Sequence, residues 1–491
     1  MLVKIIVIAI YCIGIIFVGI LGLRKTKSFN DFFLGGGNVG PWMSAFSYGT
    51  AYFSAVLFIG FAGKLGWAHG YSGLWVAFFN AFVGVLGVWA IMGWRIKKMS
   101  TEYGVSTMSE FLEKRYSSKM FKLFSTIVIF IFLIPYSAAV FMGLAYLFNI
   151  SLGIPYTYVL IGMGVFTATY VILGGYKSMA MIDMIFGIIM LVSVLVLVGF
   201  TINKGGGIAS ISDTLQAINP KLVKFVGPPG FWSLFSVVFL TSVAPFAMPQ
   251  LVQKFYAVKD RKSIKIGMVA STFFAIIIGG IAYFLGSTTR VFLNPVSNPT
   301  AFNEGAPLFD RLMPELLTSV IPTSLSVIIL LLILSASMST LAALVLISSS
   351  SFAKDLYAGY INKTASDKKI TGLMRIMSGV FILLAVLLAL VEFDVIVEIL
   401  GISWGAIGAF FLGPFIWGLL SKKVNKLGGY SSAFLGLATC LVLYFIGVNF
   451  PAGEKIPWYF TSPGAGSLGM IVSFVINPLF SLFVKSKSAN E

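Results

Sequence analysis

Long apolar runs alternate with short polar segments along the whole chain. A helix crossing a ~30 Å hydrocarbon core needs about 18 or more apolar residues. Such runs recur thirteen times, centred near residues 12, 52, 84, 135, 165, 192, 240, 275, 335, 381, 408, 439 and 475. The pattern predicts an all-α polytopic membrane protein with 13 transmembrane helices, and an odd number of crossings puts the termini on opposite sides. The longest polar stretches (99–119, 204–228, 287–320 and 354–370) read as loops between spans, so 1–491 is expected to be a single transmembrane domain.

Two spans carry helix breakers in their middle: Ser44-Ala-Phe-Ser-Tyr-Gly-Thr-Ala-Tyr-Phe-Ser54 in the second and Ala244-Pro-Phe-Ala-Met-Pro249 in the seventh. They lie five spans apart. Because five is odd, equivalent helices of two five-helix halves would run in opposite directions, with each leading helix interrupted at a midplane site. The competing reading is an ordinary glycine kink and an ordinary proline kink, both tolerated in membrane helices.

Composition agrees with the pattern: 58% of residues are hydrophobic and only 10% are charged, far below the quarter expected of a soluble globule. The net charge of +17 would suggest nucleic acid in a soluble protein, so its placement matters. Counted in alternate loops, 26 Lys and Arg fall on one side and 8 on the other. The positive-inside rule makes the richer side cytoplasmic, with the N-terminus outside and the C-terminus inside. No basic aromatic-interleaved surface remains, so nucleic acid is not an expected partner. The cluster Arg24-Lys-Thr-Lys27 follows the first apolar run instead of preceding it, which marks a retained helix and not a cleaved signal peptide. Cys12 and Cys440 both fall inside spans, and His69 falls in an outer loop.

Of the seventeen carboxylates, only Asp183 is placed within a span, near its cytoplasmic start. Ionisable groups there are costly and usually serve ion or substrate pathways; a helix-capping role or a contact with Lys177 is the alternative. In the ninth span Ala336, Ser339 and Thr340 stand at i, i+3 and i+4, so their oxygens share a helix face. Two hydroxyls and a carbonyl would replace part of a small cation's hydration shell if a second backbone segment supplied the rest. Hydroxyls bonding back to their own helix, or small residues permitting close packing, would explain the same pattern. There is no phosphate-binding glycine loop, no His-based triad, no paired carboxylates within a span and no zinc-binding cysteine pair, so an enzyme is not expected.

The residues resemble the sodium:solute symporter family, whose members carry proline, pantothenate, sugars, sialic acid or iodide. The resemblance is carried by Ser47-Tyr-Gly-Thr-Ala-Tyr-Phe-Ser-Ala-Val-Leu-Phe-Ile-Gly60, by Leu173-Gly-Gly-Tyr176 followed by Ile182-Asp183, and by Pro249-Gln-Leu-Val-Gln-Lys-Phe-Tyr-Ala257. Met338-Ser-Thr-Leu341 and Lys354-Asp-Leu-Tyr357 add to it. It implies a LeuT-type five-plus-five inverted repeat: a first helix at about 3–22, repeat one at about 40–203, repeat two at about 229–419 and two last helices at about 429–484. It also implies sodium as coupling ion, held by the carbonyls of Thr50, Phe53 and Ala336 and the hydroxyls of Ser339 and Thr340, with Asp183 on the ion pathway. Members with a second sodium carry two further hydroxyls where this chain has Ala342 and Ala343, so a single sodium is expected.

Where sugar carriers of the family have a glutamine, this chain has Leu57, which points to the pantothenate, monocarboxylate and proline branch. Ser54, Leu57, Gln250 and Trp404 are the candidates for lining a solute pocket. The expected protein is a secondary transporter of the cell membrane that brings a small organic acid or amino acid inward with sodium, using no cofactor and no obligate protein partner. A proton-coupled symporter of the same fold, with Asp183 titrating, and a channel or non-transporting membrane subunit remain the alternatives.

Overall fold

The computed structural model describes residues 2–23, 28–322, 325–451 and 453–483. The Arg24–Lys27 cluster, Lys485 and Lys487, which contribute to the charge asymmetry, lie outside the described residues. Among the described residues the protein is almost wholly helical, with one antiparallel pair of two-residue strands, Phe302–Asn303 and Ala306–Pro307. Among the described residues, twelve helical segments are long and apolar enough to cross a membrane. The pattern predicts thirteen crossings, and the difference lies at the second. There the helix Pro41–Tyr52 has only twelve residues before the chain leaves the helical path, and the following stretch Val56–Tyr103 runs for 48 residues. A 3-10 turn at Gly70–Gly73 interrupts that stretch, with Gly70 at φ 58°, a conformation glycine adopts without strain. His69 ends a helix just before this turn and is buried, not exposed in a loop as its position suggested.

Both expected breaks are present. Phe53 adopts φ −99°, ψ 85°, and helix restarts where Ser54 Oγ accepts from the Val56 N–H at 3.2 Å, as a capping hydroxyl does. The second break follows Val243, through a 3-10 turn at Ala244–Phe246 and an extended Met248, to Pro249 at the first position of helix Pro249–Ala257. Proline lacks the N–H that would continue the ladder and disfavours helix in the residue before it. Val39 pairs with Val258 in a short parallel bridge, so the start of helix Pro41–Tyr52 and the end of helix Pro249–Ala257 are tied together at one end of the molecule.

Burial sorts the helices. The span-forming window of the first helix is 11% buried and presents Ile10, Ile13 and Phe17 outward, whereas that of Ser326–Ile361 is 83% buried and that of Ile396–Leu420 wholly enclosed. In a bilayer the first belongs against lipid and the last two form the centre. Small residues let central helices touch: a Cβ on Gly66 would lie 2.0 Å from the carbonyl carbon of Gly286. Helix Ile396–Leu420 is capped from elsewhere in the chain, the Ile396 N–H donating to Asp310 Oδ2 at 3.0 Å. Burial pushes the Asp310 carboxyl up to about 7, against the pull of Lys64 and with added push from Asp394 and Glu392.

Candidate functional site

The break after Tyr52 removes the next helical turn, so carbonyls at the end of helix Pro41–Tyr52 lose their usual partners. Helix Ser326–Ser350 crosses there. Thr340 Oγ1 lies 3.3 Å from the carbonyl oxygens of both Thr50 and Ala51, and 3.1 Å from that of Ala336 in its own helix. Ser339 Oγ donates to Thr50 Oγ1 at 2.7 Å, and Thr50 Oγ1 donates to Phe46 O at 2.8 Å. Thr50, Ala336, Ser339 and Thr340 are thus brought together, all buried. Phe53 sits in the break itself, its ring against Phe274. The Ala51 carbonyl and the Thr50 hydroxyl join the group without having been expected. Neutral oxygens from a hydroxylated helix and an unwound backbone segment suit a small hard cation.

Asp183 lies one layer away on helix Tyr176–Lys204 and is 2% exposed. Its Oδ2 accepts from Ser47 Oγ at 2.5 Å, one turn before Thr50, and Ser339 faces the same carboxylate. Lys177, the partner weighed from sequence, is not its counter-charge. Lys254 is: its Nζ donates to Ser47 Oγ at 2.8 Å and stands 3.9 Å from Asp183 Oδ2 and 5.0 Å from the centre of the Tyr176 ring. Counting loops by hydropathy put Lys254 among the cytoplasmic charges, yet it is 3% exposed inside the molecule. A signal was available. Gln250, Gln253 and Lys254 stand at i, i+3 and i+4 in a helix of nine buried residues, the same polar-face spacing as Ala336, Ser339 and Thr340.

On the other side of the break, Ser54, Leu57 and Trp404 line a small cavity of about 30 Å³ together with Asn80, Tyr136 and Thr241. Trp404, on helix Ile396–Leu420, stacks on Tyr52 with ring centres 5.9 Å apart and meets Tyr136 edge-on at 5.8 Å. Among the described residues, none that lines this cavity is charged. Gln250 is not among its walls: it lies beyond the second break, fully buried, and neither of its amide atoms finds a hydrogen-bond partner among the described residues. Asn80 went unnoticed in the sequence because it is a lone polar residue within an apolar run.

Asn80 Oδ1 lies 2.9 Å from Ser242 Oγ and 2.8 Å from Thr241 Oγ1, both hydroxyls on helix Phe231–Val243. That leaves its Nδ2 for the cavity. Larger grooves exist on the exterior, such as one of about 560 Å³ between Trp42, Phe46, Val269 and Phe273, but their walls are almost entirely apolar and lie on the lipid-facing surface.

Residues 32–436 match the sodium:solute symporter family. The chain is 28% identical over 461 residues to the high-affinity proline transporter PutP of Bacillus subtilis (strain 168), covering 91% of this chain and 93% of that one. It is 27% identical over 436 residues to the sodium/pantothenate symporter of Haemophilus influenzae, covering 87% of each. Its fold matches that of a Na+-coupled sialic acid symporter, solved substrate-bound and outward-open, with a TM-score of 0.78 at 17% identity over 98% of this chain and 97% of the other.

Proposed function

This chain belongs to the sodium:solute symporter family, and from that premise we propose that it couples inward movement of sodium to uptake of a small organic acid or amino acid by alternating access. It is a multi-pass protein of the cell membrane and a transporter, not an enzyme. The observation that carries the reading is the meeting of the Phe53 break with Ser339 and Thr340, in which two chain segments 289 residues apart present their oxygens to one point.

Thirteen crossings are the arrangement best supported. A continuous helix of 48 residues would be ~72 Å long, more than twice the hydrocarbon thickness, and the turn at Gly70–Gly73 divides it. Its first part then completes the crossing begun at Pro41, and its second part makes another. The charge asymmetry supports an N-terminus outside and a C-terminus inside. The two broken helices, five crossings apart, support inverted repeats at about 40–203 and 229–419. The sodium ligands proposed are the carbonyls of Thr50, Phe53 and Ala336 and the hydroxyls of Ser339 and Thr340, with the Ala51 carbonyl and Thr50 hydroxyl as additions, and Asp183 on the ion's exit route.

The solute is proposed to bind where Ser54, Leu57 and Trp404 meet Asn80. Aromatic rings around an uncharged space suit a solute with an apolar body, and at about 30 Å³, room for roughly one water, the cavity must widen to admit it. The Asn80 amide and the helix N-terminus restarting at Val56 offer donors to a carboxylate. Relatives named for proline and pantothenate, both carboxylates, fit that chemistry. Reconstituted protein should accumulate labelled proline or pantothenate only when sodium is present outside. Equal uptake from sodium-free buffer under a proton gradient would transfer the coupling to protons and sink this assignment.

A further inference from the structure

Lys254 is the only lysine or arginine among the described residues that stands in van der Waals range of Asp183, and both are shut away from solvent. An ammonium and a carboxylate so enclosed are each costly unless they compensate one another. Ser47 ties them into one group, donating to Asp183 and accepting from Lys254. Ser47 and Thr50 lie one turn apart on helix Pro41–Tyr52, and Ser339 reaches from the Thr50 hydroxyl toward the Asp183 carboxylate. The ammonium therefore draws on the same small set of oxygens that a sodium ion leaving Thr50 and Ser339 meets next. One carboxylate cannot satisfy two cations at that distance, because the second meets the unscreened charge of the first.

We propose that Lys254 is a positioning residue that serves as the counter-cation of Asp183 in the sodium-free carrier. Sodium passing Asp183 displaces the ammonium, and the ammonium returns when sodium has gone, so the empty carrier reorients with a closed neutral pair instead of a bare carboxylate. This rests on the sodium-symport reading above and goes beyond it by assigning the return step.

The test compares two transport modes in proteoliposomes for the wild type, Lys254→Met, Lys254→Arg and the double variant Asp183→Asn/Lys254→Met. Net sodium-driven uptake requires the empty carrier to return, whereas exchange of labelled for unlabelled solute at equal sodium on both sides does not. For Lys254→Met, net uptake should fall about tenfold or more while exchange stays within about twofold, and the sodium concentration for half-maximal exchange should drop. Lys254→Arg should restore net uptake. The double variant, whose pair is again neutral, should recover part of it. In parallel, the thermal unfolding midpoint of Lys254→Met should fall in sodium-free buffer and recover on adding sodium alone, while the double variant should show no such gap.

Equal loss of both modes, unchanged net uptake, or a double variant no better than Lys254→Met overturns the proposal. The double variant, having no bare charge, keeps the comparison available if Lys254→Met does not fold. Sodium-independent uptake by the wild type would instead remove the symport reading itself.

Discussion

Thr340 Oγ1 has one proton and three carbonyl oxygens within 3.3 Å. It satisfies one of them and leaves an excess of acceptors in a place water does not reach, which is the condition under which a desolvated cation is bound well. Replacing Ser339 and Thr340 together by alanine should raise the sodium concentration for half-maximal uptake by about tenfold or more, as expected for losing two ligands worth roughly 1 kcal/mol each. Uptake measured against sodium concentration decides this; an unchanged curve would return both hydroxyls to packing roles. Asn80 offers a second test. Ser242 Oγ makes no hydrogen bond among the described residues except to Asn80 Oδ1, which holds the amide with Nδ2 toward the cavity. Asn80→Asp puts an acceptor where the solute's carboxylate expects a donor, so its KM for a carboxylate solute should rise about tenfold or more. A KM that stays the same would place the carboxylate elsewhere in the cavity. The residue types at the ion site were legible because the adjacent hydroxyls of Ser339 and Thr340, one turn after Ala336, are conspicuous in an apolar helix. Asn80 was not, since one amide in a run of phenylalanines has no period to reveal it.

Among the elements, the break before Pro249 was readable because proline acts on its own backbone whatever the chain packs against, while the other break falls at Phe53, four residues past Gly49, which is itself helical. One of the released carbonyls was not readable: Ala51 joins the ion site through a contact 289 residues away. Helix Ile396–Leu420, which carries Trp404 to the cavity, illustrates the same division. Its long apolar run marks it as a span, but its first N–H is satisfied by Asp310 from a different segment. That carboxyl is held near 7 when folded by burial, which outweighs Lys64, and its Oδ1 has no hydrogen-bond partner among the described residues. Unfolded, it titrates near 4, so between those values the folded protein holds a proton that the unfolded chain releases. Stability should therefore increase as pH falls through that window, by on the order of 4 kcal/mol, and level off below it. Thermal unfolding in detergent from pH 8 to pH 4 should show this rise in the wild type and a smaller one in Asp310→Asn, which keeps an acceptor for the Ile396 N–H. Identical pH profiles would mean that Asp310 is ionised in the folded protein.

For the whole molecule, Ala342 and Ala343 bear on the energetics of transport. Both are buried on the helix that carries Ser339 and Thr340, and neither side chain has an oxygen to offer a second ion. One sodium per solute is the expected ratio. Uptake of a zwitterion such as proline would then carry one positive charge inward, driven by roughly 2.3 kcal/mol per 100 mV of membrane potential. Parallel fluxes of labelled sodium and labelled solute should give a ratio near one, and a ratio near two would require a second site. The membrane location, the helical class and the presence of two interrupted spans were determined by sequence alone, because hydropathy over a span's length and the backbone chemistry of proline are local properties. Only the tertiary structure decided which polar groups became neighbours. It drew Lys254 out of an apparent loop onto Ser47, 207 residues distant, and Ser47 onto Asp183, 136 residues distant. It also left Gln250 outside the cavity that its place beside the second break had suggested. Buried charges and amides take whichever partners the packing of remote helices brings within reach, and no window of sequence contains both members of such a pair.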